Sequence, residues 1–288
     1  MIFSKIEKLT TKFLDNNKVL NYVNLLLSCL AVLYLIDIGI KNNVSIEIKI
    51  QYLLYIPIIW ITYFLYAYGW SQLIKPKFDI LIIKIWFLSV LGKYLPLKVG
   101  IPLMRMTNFK EDFNEFNVKK NISTIIIEQL IIIFWGVIFG LAFFITEYIN
   151  PYIYLGIVYV SAITIIFLLK SKLTYKKYFI NTNIALMTGQ LFTLIFFSLL
   201  YSQILGEIKI ENVLAYYLSS VLAVVLIGAP VGIGVREFLY IQILNFETIP
   251  SEIFNFMVIV RLVYLINDLV VFLFVKFLTS LNIQNQKY

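Results

Sequence analysis

Arginine is scarce in this chain, three residues against 21 lysines, so its positions carry information. Where any cation would serve, a chain with this bias uses lysine. Arginine adds a permanent charge and a planar fork of donors suited to two-point contact with carboxylate or phosphate. Arg105 and Arg236 each close a segment broken by glycine and proline, and Arg261 lies inside the last apolar run. Carboxylates accompany them. Glu128 stands between two isoleucine triplets, 125–127 and 131–133, where a lone carboxylate must pair or take up a proton. Its candidate partners are Arg236 and Arg261, and the alternative is a coupling proton. Asp268 follows Arg261 by two helical turns along one face, and Glu237 adjoins Arg236. Lys93, Lys98 and Arg105 form a second basic group, although Arg105 also reads as a plain cytoplasmic anchor. Lys93, Lys98, Arg105, Glu128, Arg236, Glu237, Arg261 and Asp268 are thus the candidate substrate-binding set.

The two breaks are the second source of chemistry. The first runs from Gly92 through Pro96 to Gly100, after the apolar run 80–91. The second holds Gly228, Pro230, Gly232 and Gly234, after residues 212–227. Irregular backbone inside a membrane is tolerated only where protein or a water-filled cavity satisfies its polar groups. Paired interruptions in corresponding halves point to a transporter-like site near the bilayer midplane. The second break predicts a helix restarting near Val235. The free N–H groups of such a start favour an anion, with Arg236 beside them.

The elements that must position these residues are apolar helices. The chain is 61% hydrophobic and 14% charged, with a mean hydropathy of +0.88. Windows of about 20 apolar residues recur, enough to cross ~30 Å of hydrocarbon. The net charge of +8 sits largely in short connections between spans, where it sets topology and meets anionic headgroups, so nucleic acid is not the expected partner. One cysteine, Cys29, and no histidine leave no expected metal site, disulfide or cofactor, and count against most hydrolytic chemistry.

Six full spans are expected, at about 20–40, 51–74, 122–145, 152–169, 184–205 and 254–277. Residues 1–18 read as an amphipathic helix on the membrane surface, with Lys5, Lys8, Lys12 and Lys18 between apolar positions. Residues 80–91, roughly 18 Å of helix, are too short to span. Lysine-rich connections flank that segment, so it enters and leaves from the cytoplasm, whereas the acidic loops at 206–211 and 246–252 place the second break outside. The fold class is therefore an all-α polytopic integral membrane protein, six full spans plus two opposed re-entrant helical hairpins. Residues 19–145 and 146–288 form two membrane repeats of inverted topology. Pro96 and Pro230 differ by 134 positions, Glu128 and Arg261 by 133. The N-terminus is expected in the cytoplasm and the protein in a bacterial or archaeal cytoplasmic membrane.

Gly-Lys-Tyr-Leu-Pro-x-Lys-Val-Gly at 92–100, and Pro-x-Gly-x-Gly-Val-Arg-Glu at 230–237 followed by Arg261 and Asp268, resemble the lysylphosphatidylglycerol synthase transmembrane, or flippase-like, family. Glu128 also matches, whereas Leu97 and Gln129 depart from the family's usual glycine and arginine. The resemblance implies a module that moves amphiphilic lipids, anionic phospholipids or polyprenyl-linked glycolipids, during cell-envelope assembly. It brings no soluble aminoacyl-transferase domain within this sequence, so lipid aminoacylation is not expected. Two alternatives remain open. One is a polyprenyl-phosphate-dependent membrane transferase, disfavoured by short external loops without paired aspartates. The other is a non-catalytic membrane subunit partnering a glycosyltransferase or lipid-synthesis enzyme.

Overall fold

A computed structural model describes residues 49–75, 79–94, 100–112, 118–146, 148–170, 177–225, 235–245 and 250–285. The expected surface helix at 1–18, the first span, Pro96, Lys98, Gly228, Pro230, Gly232 and Gly234 lie outside the described residues. Within them the chain is helical without a strand. A 3-10 turn, Ile50–Tyr55, leads into α1 (Ile56–Ile74), with a proline in its first turn where no N–H is needed. Helix α2 (Ile80–Leu88) starts at Asp79, whose carboxylate accepts from Leu81 N–H at 3.0 Å. A second 3-10 turn, Val90–Tyr94, follows it. Then come α3 (Gly100–Asp112), α4 (Val118–Gly140), the single turn α5 (Ala142–Ile145) and α6 (Pro151–Lys170).

Helix α7 (Lys177–Leu205) ends at Gly206, whose φ of +80° suits a glycine and closes the helix end. Helices α8 (Ile210–Val225), α9 (Val235–Ile243) and α10 (Ser251–Asn285) complete the order. Helix α9 is described from Val235 onward, and the glycine-rich break before it lies outside the described residues. Among the described residues, four stretches are long and apolar enough to cross a membrane: Ile50–Ile74, Asn121–Ile145, Tyr178–Leu205 and Ser251–Phe277. Their outward faces carry large apolar side chains such as Leu130, Phe134, Ile195 and Leu273. That surface is what lipid, rather than water, would solvate.

Helices α1 and α7 form the central seam and run antiparallel. Tyr55 bonds Gln203 at one end, and Thr182 donates to the carbonyl of Gly69 at the other. Small residues bring the backbones together. A Cβ on Gly189 would lie 2.4 Å from the Tyr66 ring, and one on Gly69 would lie 2.9 Å from Leu186. The α4–α8 crossing repeats the device, with Gly136 and Gly140, one turn apart, under Val221 and Leu218. Without a hydrophobic driving force between helices in lipid, close backbone approach is a main source of association energy. At the first break Gly92 meets Gly100 backbone to backbone, where a Cβ would lie 2.5 Å from a carbonyl carbon. The two ends of that break therefore touch. Accordingly α2 packs on α3, and α8 packs on α9.

Two glycines should respond oppositely to an added side chain. Gly189→Val should lower the melting temperature of detergent-purified protein, since overpacking costs ~1–3 kcal/mol. Gly156 faces open space, so Gly156→Ala should leave stability equal or raise it by up to ~1 kcal/mol through helix propensity.

Candidate functional site

Charge enters the interior at three places, and each solves the same problem with different groups. On α3, Arg105 points inward, and its guanidinium pairs with Glu128 of α4. A second fork nitrogen reaches the other carboxylate oxygen at 3.3 Å, and Nε donates to Ser89 at 3.1 Å. Trp86 Nε1 also donates to Glu128, at 2.8 Å. The guanidinium lies over the rings of Trp70 and Trp86, 4.5 and 5.4 Å from their centroids. Both charged side chains are sealed, with exposures of 3% and 0%. One carboxylate thereby ties α2, α3 and α4 together.

This corrects the expected partnership. Glu128 is held by Arg105, not by Arg236 or Arg261, and Arg105 is no surface anchor. The contact between Gly92 and Gly100 turns α3 back onto the end of α2, beside Trp86 and Ser89, where Arg105 meets a carboxylate 23 residues later.

The second constellation is built on Glu237, in the first turn of α9, where the helix dipole favours a negative charge. Arg261 of α10 grips it with both edges of its fork, Nε to Oε1 and Nη2 to Oε2, each at 2.9 Å. Arg236 makes a longer contact, 3.4 Å from Nε, and rests its guanidinium 4.8 Å above the Tyr216 ring of α8. Glu237 is buried, while Arg236 and Arg261 keep side-chain exposures of 11% and 22%.

The third joins Lys93, beyond α2, to Asp268 on α10 at 2.5 Å. Tyr63 donates to one carboxylate oxygen of Asp268 at 2.6 Å, and Tyr94 bonds the other. Lys93 also donates to the Tyr63 hydroxyl at 3.0 Å. Its ammonium sits 5.4–5.5 Å from the ring centres of Tyr63, Tyr94 and Tyr264, a cage of three aromatic faces. Lys93 was expected to belong to a basic group with Lys98 and Arg105. It is instead the partner of Asp268, which the helix periodicity alone had assigned to the stripe of Arg261.

The second and third constellations both use α10, which carries Arg261 and Asp268. Three cations, Lys93, Arg236 and Arg261, face two carboxylates, Glu237 and Asp268. Among the described residues the cluster has more cations than carboxylates, and the three cations keep partial exposure. Chemically, this arrangement can hold a monoanion by charge-assisted hydrogen bonds from arginine. Sequence reasoning missed the aromatic residues that make it. Trp70, Trp86, Tyr63, Tyr216 and Tyr264 look like ordinary apolar positions, and only Tyr94, inside the first break, stood beside a flagged residue.

The chain matches no known family model, no curated protein and no solved structure.

The pairing can be read from stability. Glu128→Gln and Arg105→Met should each lower folding stability by ~3–5 kcal/mol, because each strands a buried partner. The double variant should recover part of that loss. Glu128→Gln combined with Arg261→Gln should instead be additive within ~0.5 kcal/mol, as expected of sites without a shared partner. A double-mutant cycle on thermal or denaturant unfolding separates the two. Coupling of Glu128 to Arg261 in place of Arg105 would overturn the observed pairing.

Proposed function

We propose that this protein translocates an anionic amphiphilic lipid, or a lipid-linked glycan, across a cytoplasmic membrane during cell-envelope biogenesis. The observation that supports the reading is the cluster of Lys93, Arg236 and Arg261, partly exposed within a bundle of membrane-length helices. An anionic headgroup would neutralise that charge while its acyl or polyprenyl chains stay in lipid. The motif likeness at 92–100 and 230–237 to the flippase-like family points the same way.

The reading adds α6 and the first apolar run to the four long helices, giving six spans, and takes both breaks as re-entrant hairpins in two inverted units. Three observations support it. Helices α1 and α7 would hold equal places in the two units, and they run antiparallel. Each break is followed by a helix that packs back on its predecessor. Each of these helices is then tied to the next long helix by an arginine–glutamate pair, 23 residues apart in the first unit and 24 in the second. The signs are exchanged. In the first unit the arginine follows the break and the glutamate sits on the long helix; in the second the order reverses.

A transferase acting on a polyprenyl phosphate would need a carboxylate able to accept a proton. Glu128, Glu237 and Asp268 are each committed to a cation, which favours translocation over that chemistry. A glycosyltransferase or lipid-synthesis enzyme fits as the supplier of the lipid.

Proteoliposomes carrying labelled lipids test the function. Anionic phospholipids should cross faster with protein than without it, and faster than phosphatidylcholine. Arg236→Lys keeps the charge but loses the fork, and should cut the rate about tenfold or more while the melting temperature stays near wild type. Unchanged rates in both Arg236→Lys and Arg261→Lys would remove the arginine-based reading.

Topology is tested separately with single cysteines in a Cys29→Ser background. Positions 148 and 207 should react with impermeant thiol reagents from outside intact cells, and position 174 should not. Labelling at 174 from outside would overturn the arrangement.

A further inference from the structure

Between the second constellation and the surface lies a file of tyrosines with unmet hydrogen-bonding capacity. A surface cleft of about 330 Å³ opens between the start of α8 and the start of α10, with Glu207 and Glu252 at its rim and Tyr201 and Asn212 in its wall. Asn212 donates to the Tyr201 hydroxyl at 2.6 Å, so the first phenol of the file is fixed from the cleft. The Tyr201 ring packs on Phe256 with centroids 5.0 Å apart, and Phe256 in turn packs on Tyr216 at 4.8 Å. Tyr240 crosses the Tyr216 ring edge-on at 5.2 Å. The Arg236 guanidinium lies 4.8 Å from the centre of the same Tyr216 ring. The steps run Asn212, Tyr201, Phe256 and Tyr216, with Tyr240 and Arg236 both against Tyr216.

Both inner hydroxyls, on Tyr216 and Tyr240, are fully buried and have no hydrogen-bond partner in the protein. An unpaired buried hydroxyl costs on the order of 1–3 kcal/mol, and phenylalanine would fill the same space without that cost. Two such groups, next to a partly exposed guanidinium, supply donors and acceptors of the kind that ordered buried water satisfies. Elsewhere buried tyrosines in the same bundle are satisfied by protein. Tyr217 donates to Gln190 at 2.5 Å and Tyr63 to Asp268.

We infer that Tyr201, Tyr216 and Tyr240 bind a short chain of water molecules linking the cleft beside Glu207 and Glu252 to the Arg236–Glu237–Arg261 cluster. The chain keeps the cluster's guanidiniums hydrated and gives an anionic headgroup an aqueous route on that side of the protein. The water sites stand on the geometry alone, and only the headgroup's use of them rests on the function proposed above.

Hydroxyl-radical footprinting by water radiolysis, read by mass spectrometry on purified full-length protein, tests this because radicals form at bound water. Tyr216 and Tyr240 should be oxidised about tenfold faster than Phe139, which is equally buried in an apolar setting, and at rates approaching those of exposed Tyr148. Rates no higher than that of Phe139 would overturn the inference. Tyr216→Phe and Tyr240→Phe give an independent reading. Loss of a hydroxyl bonded to water leaves the melting temperature unchanged or lower, whereas a rise in both variants would mean the hydroxyls are dry and would also overturn it. None of these readouts needs transport. Fast oxidation of both tyrosines in a protein that moves no lipid would sustain the water chain and reject the transport reading.

Discussion

A charge placed between apolar helices must find an opposite charge or cost several kcal/mol, and the organisation of this protein follows from that constraint. Glu128, Glu237 and Asp268 are almost completely buried, and each is met by a cation and by further donors. In each case the closest cation comes from a different element. Arg105 reaches from α3 to α4, Arg261 from α10 to α9, and Lys93 from the end of the first short helix to α10. The pairs therefore fix helices that the chain itself separates, and they fix them where the backbone is broken. Aromatic rings complete each site, since Trp70 and Trp86, Tyr216, and the three tyrosines around Lys93 offer π faces to cations that water cannot reach well.

The two arginine–glutamate pairs are alike in plan and unlike in access. The pair at Arg105 and Glu128 is sealed on all sides and has no surplus charge. The pair at Glu237 and Arg261 has a second arginine beside it and keeps part of both guanidiniums exposed. The first pair locks helices together, and the second leaves its cations partly exposed.

Much of this was legible in the residues. The apolar runs located the long helices, and scarce arginine pointed to the three guanidiniums that meet interior carboxylates. Partner choice was not legible. Glu128 was assigned to the second half because Arg236 and Arg261 looked intramembrane, whereas Arg105 sat beside lysines and read as a surface residue. What brings Arg105 inside is the contact of Gly92 with Gly100, a tertiary feature invisible to periodicity. Asp268 failed for the opposite reason. Helical spacing correctly put it on the face of Arg261, but Lys93 arrives from another element and takes it. The tyrosines were hidden by composition, since 20 of them make any single one uninformative.

The difference in burial between the ion pairs separates what ionic strength can reach. Mobile ions screen the Glu207–Lys209 contact, where both side chains are 59% exposed, and leave the sealed Arg105–Glu128 contact almost untouched. The partly exposed Arg236 and Arg261 lie between these limits. Raising salt should therefore weaken the contacts of Arg236 and Arg261 well before it weakens the Arg105–Glu128 lock.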